Sequence, residues 1–156
     1  MDRRINSFVK TLQEKELTVA FAESVTCGMV AHKLATCIGT SDVLKGSIVC
    51  YSSEVKSALM KIPKKAIIKH SAESKEVTDL LAKKLQRLIK ADIHAALTGL
   101  ASEGGSENKQ KPPGTVFMSV IYKKKLYSKR RLFKGSPLQI RRKACMAIFE
   151  MILLII

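Results

Sequence analysis

What most constrains this chain is a unit that occurs twice near its start: a short apolar run, a polar corner, then apolar residues at helical spacing. Residues 17–22 form the first run and Glu23, Ser24, Val25 and Thr26 interrupt it. Met29, Val30, Leu34 and Cys37 then resume at helical spacing until a turn over residues 39–42. Residues 46–51 form the second run, after which Ser52, Ser53 and Glu54 can cap a short helix that must end before Pro63. Runs this short, bounded by turns, read as strands buried on both faces.

The remaining elements extend the pattern. Ile5, Phe8, Val9 and Leu12 make the first fifteen residues an amphipathic helix. Ser74 can cap a long helix whose Val77, Leu80, Leu81, Leu85 and Leu88 form one stripe, and residues 93–98 read as a third strand. Residues 99–113 are the one long irregular segment, with Gly104, Gly105, Pro112 and Pro113 inside it; loops of that length in a compact domain are functional or disordered. Residues 114–122 and 126–133 predict an antiparallel hairpin joined by lysines 123–125. Pro137 then opens a last helix with Ile140, Ala144, Ile148, Met151 and Ile152 on one face. The order predicts a single domain over residues 1–156, a three-layer α/β/α sandwich around a mixed sheet of about five strands.

Composition narrows the function classes. The 156 residues are 46% hydrophobic and carry a formal charge of +15, so the chain is a folded basic domain rather than a disordered polycation. No run approaches the roughly 18 apolar residues needed to cross a bilayer. The first residues show no export signal, which predicts a cytosolic address. Twelve Lys and Arg and no Asp or Glu lie between residues 108 and 149, whereas residues 1–107 carry sixteen basic against twelve acidic groups. With no aromatic RNA-binding motif and no recognition helix, nucleic-acid binding beyond nonspecific charge attraction is not expected. The basic stretch 126–133 reads more simply as an edge strand guarded against pairing. The cysteines at 27, 37, 50 and 145 form no Cys-x-x-Cys pair and the histidines at 32, 70 and 94 stand alone. No metal site is predicted, and each cysteine reads as a small buried apolar residue.

Ligands of open α/β sheets sit at the carboxyl ends of the strands, where three polar corners fall: residues 23–28, 51–56 and 98–105. Ser24 follows a strand and precedes a helix expected to start near Thr26, so its hydroxyl would lie beside unpaired backbone N–H groups suited to an oxyanion or a phosphate. The plainer reading of Ser24 or Thr26 is an N-cap. In the second corner a desolvated Lys56 could take a proton from a serine hydroxyl, a pairing that needs no histidine. Taken alone, Lys56 reads as a solvated helix residue and Tyr51 as a strand-end residue with a wet hydroxyl.

Motifs in order along nearly the whole chain resemble the CinA C-terminal domain family: Ala22-Glu23-Ser24-Val25-Thr26-Cys27-Gly28, Lys45-Gly46 with Tyr51-Ser52-Ser53-Glu54-Val55-Lys56, Thr98-Gly99-Leu100-Ala101 with Gly104-Gly105, Lys111-Pro112-Pro113-Gly114-Thr115-Val116, and Arg141-Arg142. The resemblance is to the stand-alone form. It implies a nicotinamide-nucleotide amidohydrolase that converts nicotinamide mononucleotide to nicotinate mononucleotide and ammonia without a cofactor. It further implies that Ser24 is the nucleophile, with Lys56 and Tyr51 in the same site, Lys56 as the base and Tyr51 placed to relay a proton to the departing nitrogen. On that basis N–H groups near residues 26–28, from Thr26 to Gly28, would hold the oxyanion, while Thr98, Gly99, Gly104 and Arg141 would hold the ribose and 5′-phosphate. For Arg141 the alternative is one more charge on a basic helix. Two departures stand out: Cys27 where relatives have Gly, and Ser102-Glu103 in place of Gly-Pro. They leave a second reading open, a weakened relative that binds a nucleotide or a protein partner. The apolar faces of the first and last helices, with Met146, Ile148 and Leu153, predict a homo-oligomer.

Overall fold

The structure is a computed structural model that describes residues 3–156. Its elements run α1 (Arg3–Glu14), β1 (Val19–Glu23), α2 (Met29–Ala35), α3 (Thr40–Val43), β2 (Leu44–Val49), α4 (Ser53–Ala58), α5 (Lys64–His70), α6 (Lys75–Leu88), β3 (Ile93–Gly99), β4 (Thr115–Tyr122), β5 (Lys125–Leu132) and α7 (Pro137–Leu153). One five-stranded sheet has the order β2-β1-β3-β4-β5. The first three strands are parallel, and β4 and β5 add on antiparallel, which gives the mixed sheet expected from the sequence.

Strand alternation divides the core in two. Val19 and Phe21 of β1, with Ile93, Ala95 and Leu97 of β3, face a layer built from α1, α2 and α7. There Phe149 packs on Phe8, ring centroids 4.7 Å apart, and meets Phe21 edge-on. Ala20, Ala22 and Ala96 face the other way, toward Val77, Leu81 and Leu85 of α6 and toward Cys50, Met60 and Ile62 around α4. Small alanines on that side let the α6 layer approach the sheet closely.

Local sequence explains the helix starts. Ser52 and Ser74 accept hydrogen bonds from Val55 N and Val77 N, each at 3.2 Å, and cap α4 and α6. Ser136 and Gln139 form a reciprocal capping box that spans Pro137 at the start of α7. The carboxylate of Asp79 ties α6 to the hairpin by accepting from Ser119 Oγ and Ser128 Oγ, both at 2.6 Å.

Several expectations need correction. Helix α2 begins at Met29 rather than near Thr26, because Cys27 and Gly28 adopt left-handed backbone with φ of +49° and +89°. The turn expected over residues 39–42 is largely the one-turn helix α3. Helix α5 carries no buried residue, so its sequence had no apolar stripe to announce it. In the α6 stripe Leu88 is 51% exposed. The hairpin turn is the pair Lys123 and Lys124, both at positive φ, with Lys125 already in β5. Strand β5 does lie at the sheet edge with Lys129, Arg130 and Arg131 exposed. Of the apolar residues named for an assembly surface, Ile148 is core, and Met146 and Leu153 are half-buried against it.

Candidate active site

The three corners converge at the carboxyl ends of β1, β2 and β3. A cleft of about 240 Å³ opens there, lined by Ser24, Tyr51, Glu73, Gly99, residues 100–105 and Arg141.

Ser24 continues the alternation of β1: its N–H donates to Leu97 O at 3.0 Å, and its side chain falls on the α4–α6 side of the sheet with Ala20 and Ala22. Lys56 reaches it from the last turn of the short helix α4. Its Nζ donates to Ser24 Oγ at 3.0 Å and to Tyr51 O at 2.8 Å. Read alone, Lys56 is a solvated helix residue; in the fold it has no exposed surface. Among the described residues no carboxylate lies within ion-pair distance of it. Burial pushes its pKa below the ordinary lysine value, opposed by Cys50, Glu73 and Glu54. Chemically, a buried amine with a lowered pKa beside a serine hydroxyl could take that hydroxyl's proton.

Glu23 points the opposite way, as its neighbour in the strand must. Fully buried, it accepts from Thr26 Oγ1 at 2.7 Å, Val30 N at 3.0 Å, Ala31 N at 3.0 Å and Ser47 Oγ at 2.9 Å. The start of α2 is therefore already occupied by an internal anion. Thr26 is held by Glu23 and does not face the cleft, and Gly28 supplies a left-handed turn in contact range of Val49 rather than a wall. Among the described residues, the N–H groups of Val25 and Thr26 make none of the turn's backbone hydrogen bonds, and they follow Ser24 directly in the chain.

Tyr51 sits at the mouth, 58% exposed, and it is its carbonyl rather than its phenol that holds Lys56. Arg141 enters from α7 on the other side of the sheet, donates to Val25 O and lies 5.9 Å over the Tyr51 ring. Thr98 does not reach the cleft: buried beneath it, its hydroxyl is 2.8 Å from that of Thr78 on α6. Gly99 does line it, where a Cβ would stand 2.6 Å from Thr115 O. Gly104 is left-handed, and the N–H groups of Gly104 and Gly105 each donate at 2.8 Å to Glu107, whose carboxyl pKa they lower.

Sequence reasoning assigned no role to Glu23, Glu73 or Glu107. Glu23 left one signal, a charged residue closing an apolar strand. Glu73 left none beyond preceding the cap Ser74. The loop over residues 100–114 is fastened by Lys111, whose Nζ donates to Ser106 Oγ at 2.7 Å, Glu73 O at 2.9 Å and Ser71 Oγ at 2.5 Å. Cysteines 37, 50 and 145 are buried as expected, whereas Cys27 is exposed. Among the described residues no cluster of His, Cys, Asp or Glu could hold a metal ion, and no helix is long and apolar enough to cross a membrane.

Known proteins with this fold are close at hand. A crystal structure of a CinA superfamily protein from Escherichia coli superposes with a TM-score of 0.92 at 22% identity, over 98% of this chain and 88% of that one. That of competence damage-inducible protein A from Klebsiella pneumoniae gives 0.89 at 25% identity, over 95% and 92%. A provisionally named competence-damage inducible protein of Bacillus mycoides is 37% identical over 115 residues, 74% of this chain but 27% of its own length. The chain thus matches about a quarter of the length of such curated relatives. The model of the CinA C-terminal domain matches residues 2–156, and this chain belongs to that family.

Proposed function

We propose that the domain is an amidohydrolase that releases ammonia from nicotinamide mononucleotide. The observation that carries this reading is the buried Lys56 amine at 3.0 Å from Ser24 Oγ on the floor of an open cleft. Neutral Lys56 takes the proton from Ser24 as Oγ bonds to the carboxamide carbon, and the N–H groups of Val25 and Thr26 receive the negative oxygen. The C–N bond then breaks, with the Lys56 ammonium returning its proton to the departing nitrogen. Water, deprotonated by Lys56, attacks the acyl-enzyme, and Ser24 leaves carrying that proton.

In this scheme Tyr51 works through its carbonyl, which aims the amine, and through its ring, which supports Arg141. Because Glu107 already occupies the Gly104 and Gly105 amides, the 5′-phosphate falls to Arg141. The purified protein is expected to produce ammonia and nicotinate mononucleotide, with nicotinamide riboside the poorer substrate. Ser24→Ala should lower turnover by about a thousandfold or more while leaving the circular dichroism spectrum unchanged. Wild-type protein whose melting temperature rises with the nucleotide while no ammonia appears would instead be a binding module.

A further inference from the structure

The cleft is electrically two-sided, and the fold makes it so. Arg141 comes from α7, which packs on one face of the sheet. Glu73 comes from the segment leading into α6, which packs on the other face, the side to which Ser24 and Lys56 also belong. Its carboxylate is fixed: Ser106 Oγ donates to it, and Ser106 is itself held by Lys111 Nζ. The charge of Glu73 acts on both Lys56 and Lys111, yet among the described residues no cation stands within ion-pair distance of it. A braced carboxylate without a paired cation, on the wall of an open cleft, leaves a place for a positive charge supplied from outside. Glu103 also lines the cleft, but it is exposed and no described hydrogen bond fixes it.

We infer that Glu73 is a specificity-determining residue that recognises the fixed positive charge of an N-substituted nicotinamide ring, so that the cleft selects the pyridinium form of its substrate over an uncharged ring. The ring class rests on the amidohydrolase reading above. The geometry is consistent with it, since the carboxamide must lie at Ser24 and Lys56 and the ring nitrogen lies only two ring bonds from the carbon that bears the carboxamide. The phosphate, at the far end of the same zwitterion, then extends toward Arg141. Binding also places the ring's charge beside Lys56 and offsets the carboxylate that favours its ammonium, which leaves Lys56 better able to accept the serine proton.

Binding is measured by calorimetry at pH 8 in the Ser24→Ala protein, so that turnover does not intrude. The ligands are nicotinamide mononucleotide and its 1,4-dihydro form, which keeps the carboxamide, ribose and phosphate but has no ring charge. The charged ring should bind roughly tenfold more tightly. Adding Glu73→Gln, which retains an acceptor for Ser106, should bring the two within about twofold, chiefly by weakening the charged ligand. No preference in the Ser24→Ala protein, or a Glu73→Gln change that weakens both ligands alike, would overturn the inference and leave Glu73 a structural brace. The preference needs no Glu73 variant to be seen, so poor folding of that variant does not shelter the idea. Ammonia release by the wild-type protein is scored separately: its absence with the preference intact removes the amidohydrolase reading alone, and its presence without the preference removes the role of Glu73 alone.

Discussion

Lys56→Met separates the chemical role of the amine from its role in packing. Methionine fills nearly the same volume, so the principal losses are the hydrogen bonds to Ser24 Oγ and Tyr51 O. Two such bonds are worth about 1–3 kcal/mol together. Against that stands relief of the cost of burying an amine that has no carboxylate within ion-pair distance. The terms oppose each other, and at pH 7 the variant should lie within about 2 kcal/mol of wild type, rather than the roughly 3–5 kcal/mol lost when one partner of a buried ion pair is removed. The pH dependence has a definite sign. Because the folded-state pKa of Lys56 lies below the ordinary 10.5, the unfolded chain binds more protons between the two values, and this group's contribution to wild-type stability rises with pH across that window. The methionine variant lacks this slope, so its standing relative to wild type is best at neutral pH and worsens toward 10.5. Urea melts at several pH values from neutral to alkaline, beside ammonia release, test both halves. Turnover should fall by about 10²–10⁴. A stability difference that does not change with pH would refute the lowered pKa, and retained turnover would refute Lys56 as the base.

Glu23→Ala leaves four hydrogen-bond donors without an acceptor in the core between β1, β2 and α2, and thermal melts should show a loss of about 3 kcal/mol or more. Replacing Lys123 and Lys124 by Asn and Gly suits the left-handed hairpin turn, and should raise stability by about 1 kcal/mol with ammonia release unchanged; a fall in melting temperature would contradict the turn geometry.

The sheet and most helices were legible because their signals are local. Apolar runs, caps at Ser52 and Ser74, Pro137 at the start of α7 and the stripe of α1 each act within a few residues. The convergence of Ser24 with Lys56 was foreshadowed by two corners at strand ends. The burial of Lys56 was not, since a lysine on a short helix is ordinarily solvated, and only the packing of Met60 and Ile62 around α4 decides otherwise. Thr26 and Thr98 were expected in the cleft because the family resemblance puts them there, whereas the plainer reading of Thr26 was an N-cap. Their actual partners, Glu23 and Thr78, follow from the side of the sheet on which each hydroxyl falls. Glu73 was invisible because its partners, Ser106 and Lys111, are more than thirty residues away in the chain.

Adjacent positions of β1 carry incompatible cargo, a carboxylate at 23 for one helical layer and a hydroxyl at 24 for the other. Inserting or deleting a single residue in that strand would exchange their faces, presenting an acid to Lys56 and stranding the start of α2. Length variation among descendants of this sequence should therefore collect in the stretch around residues 107–110 and at the 123–124 tip, while β1 keeps its count.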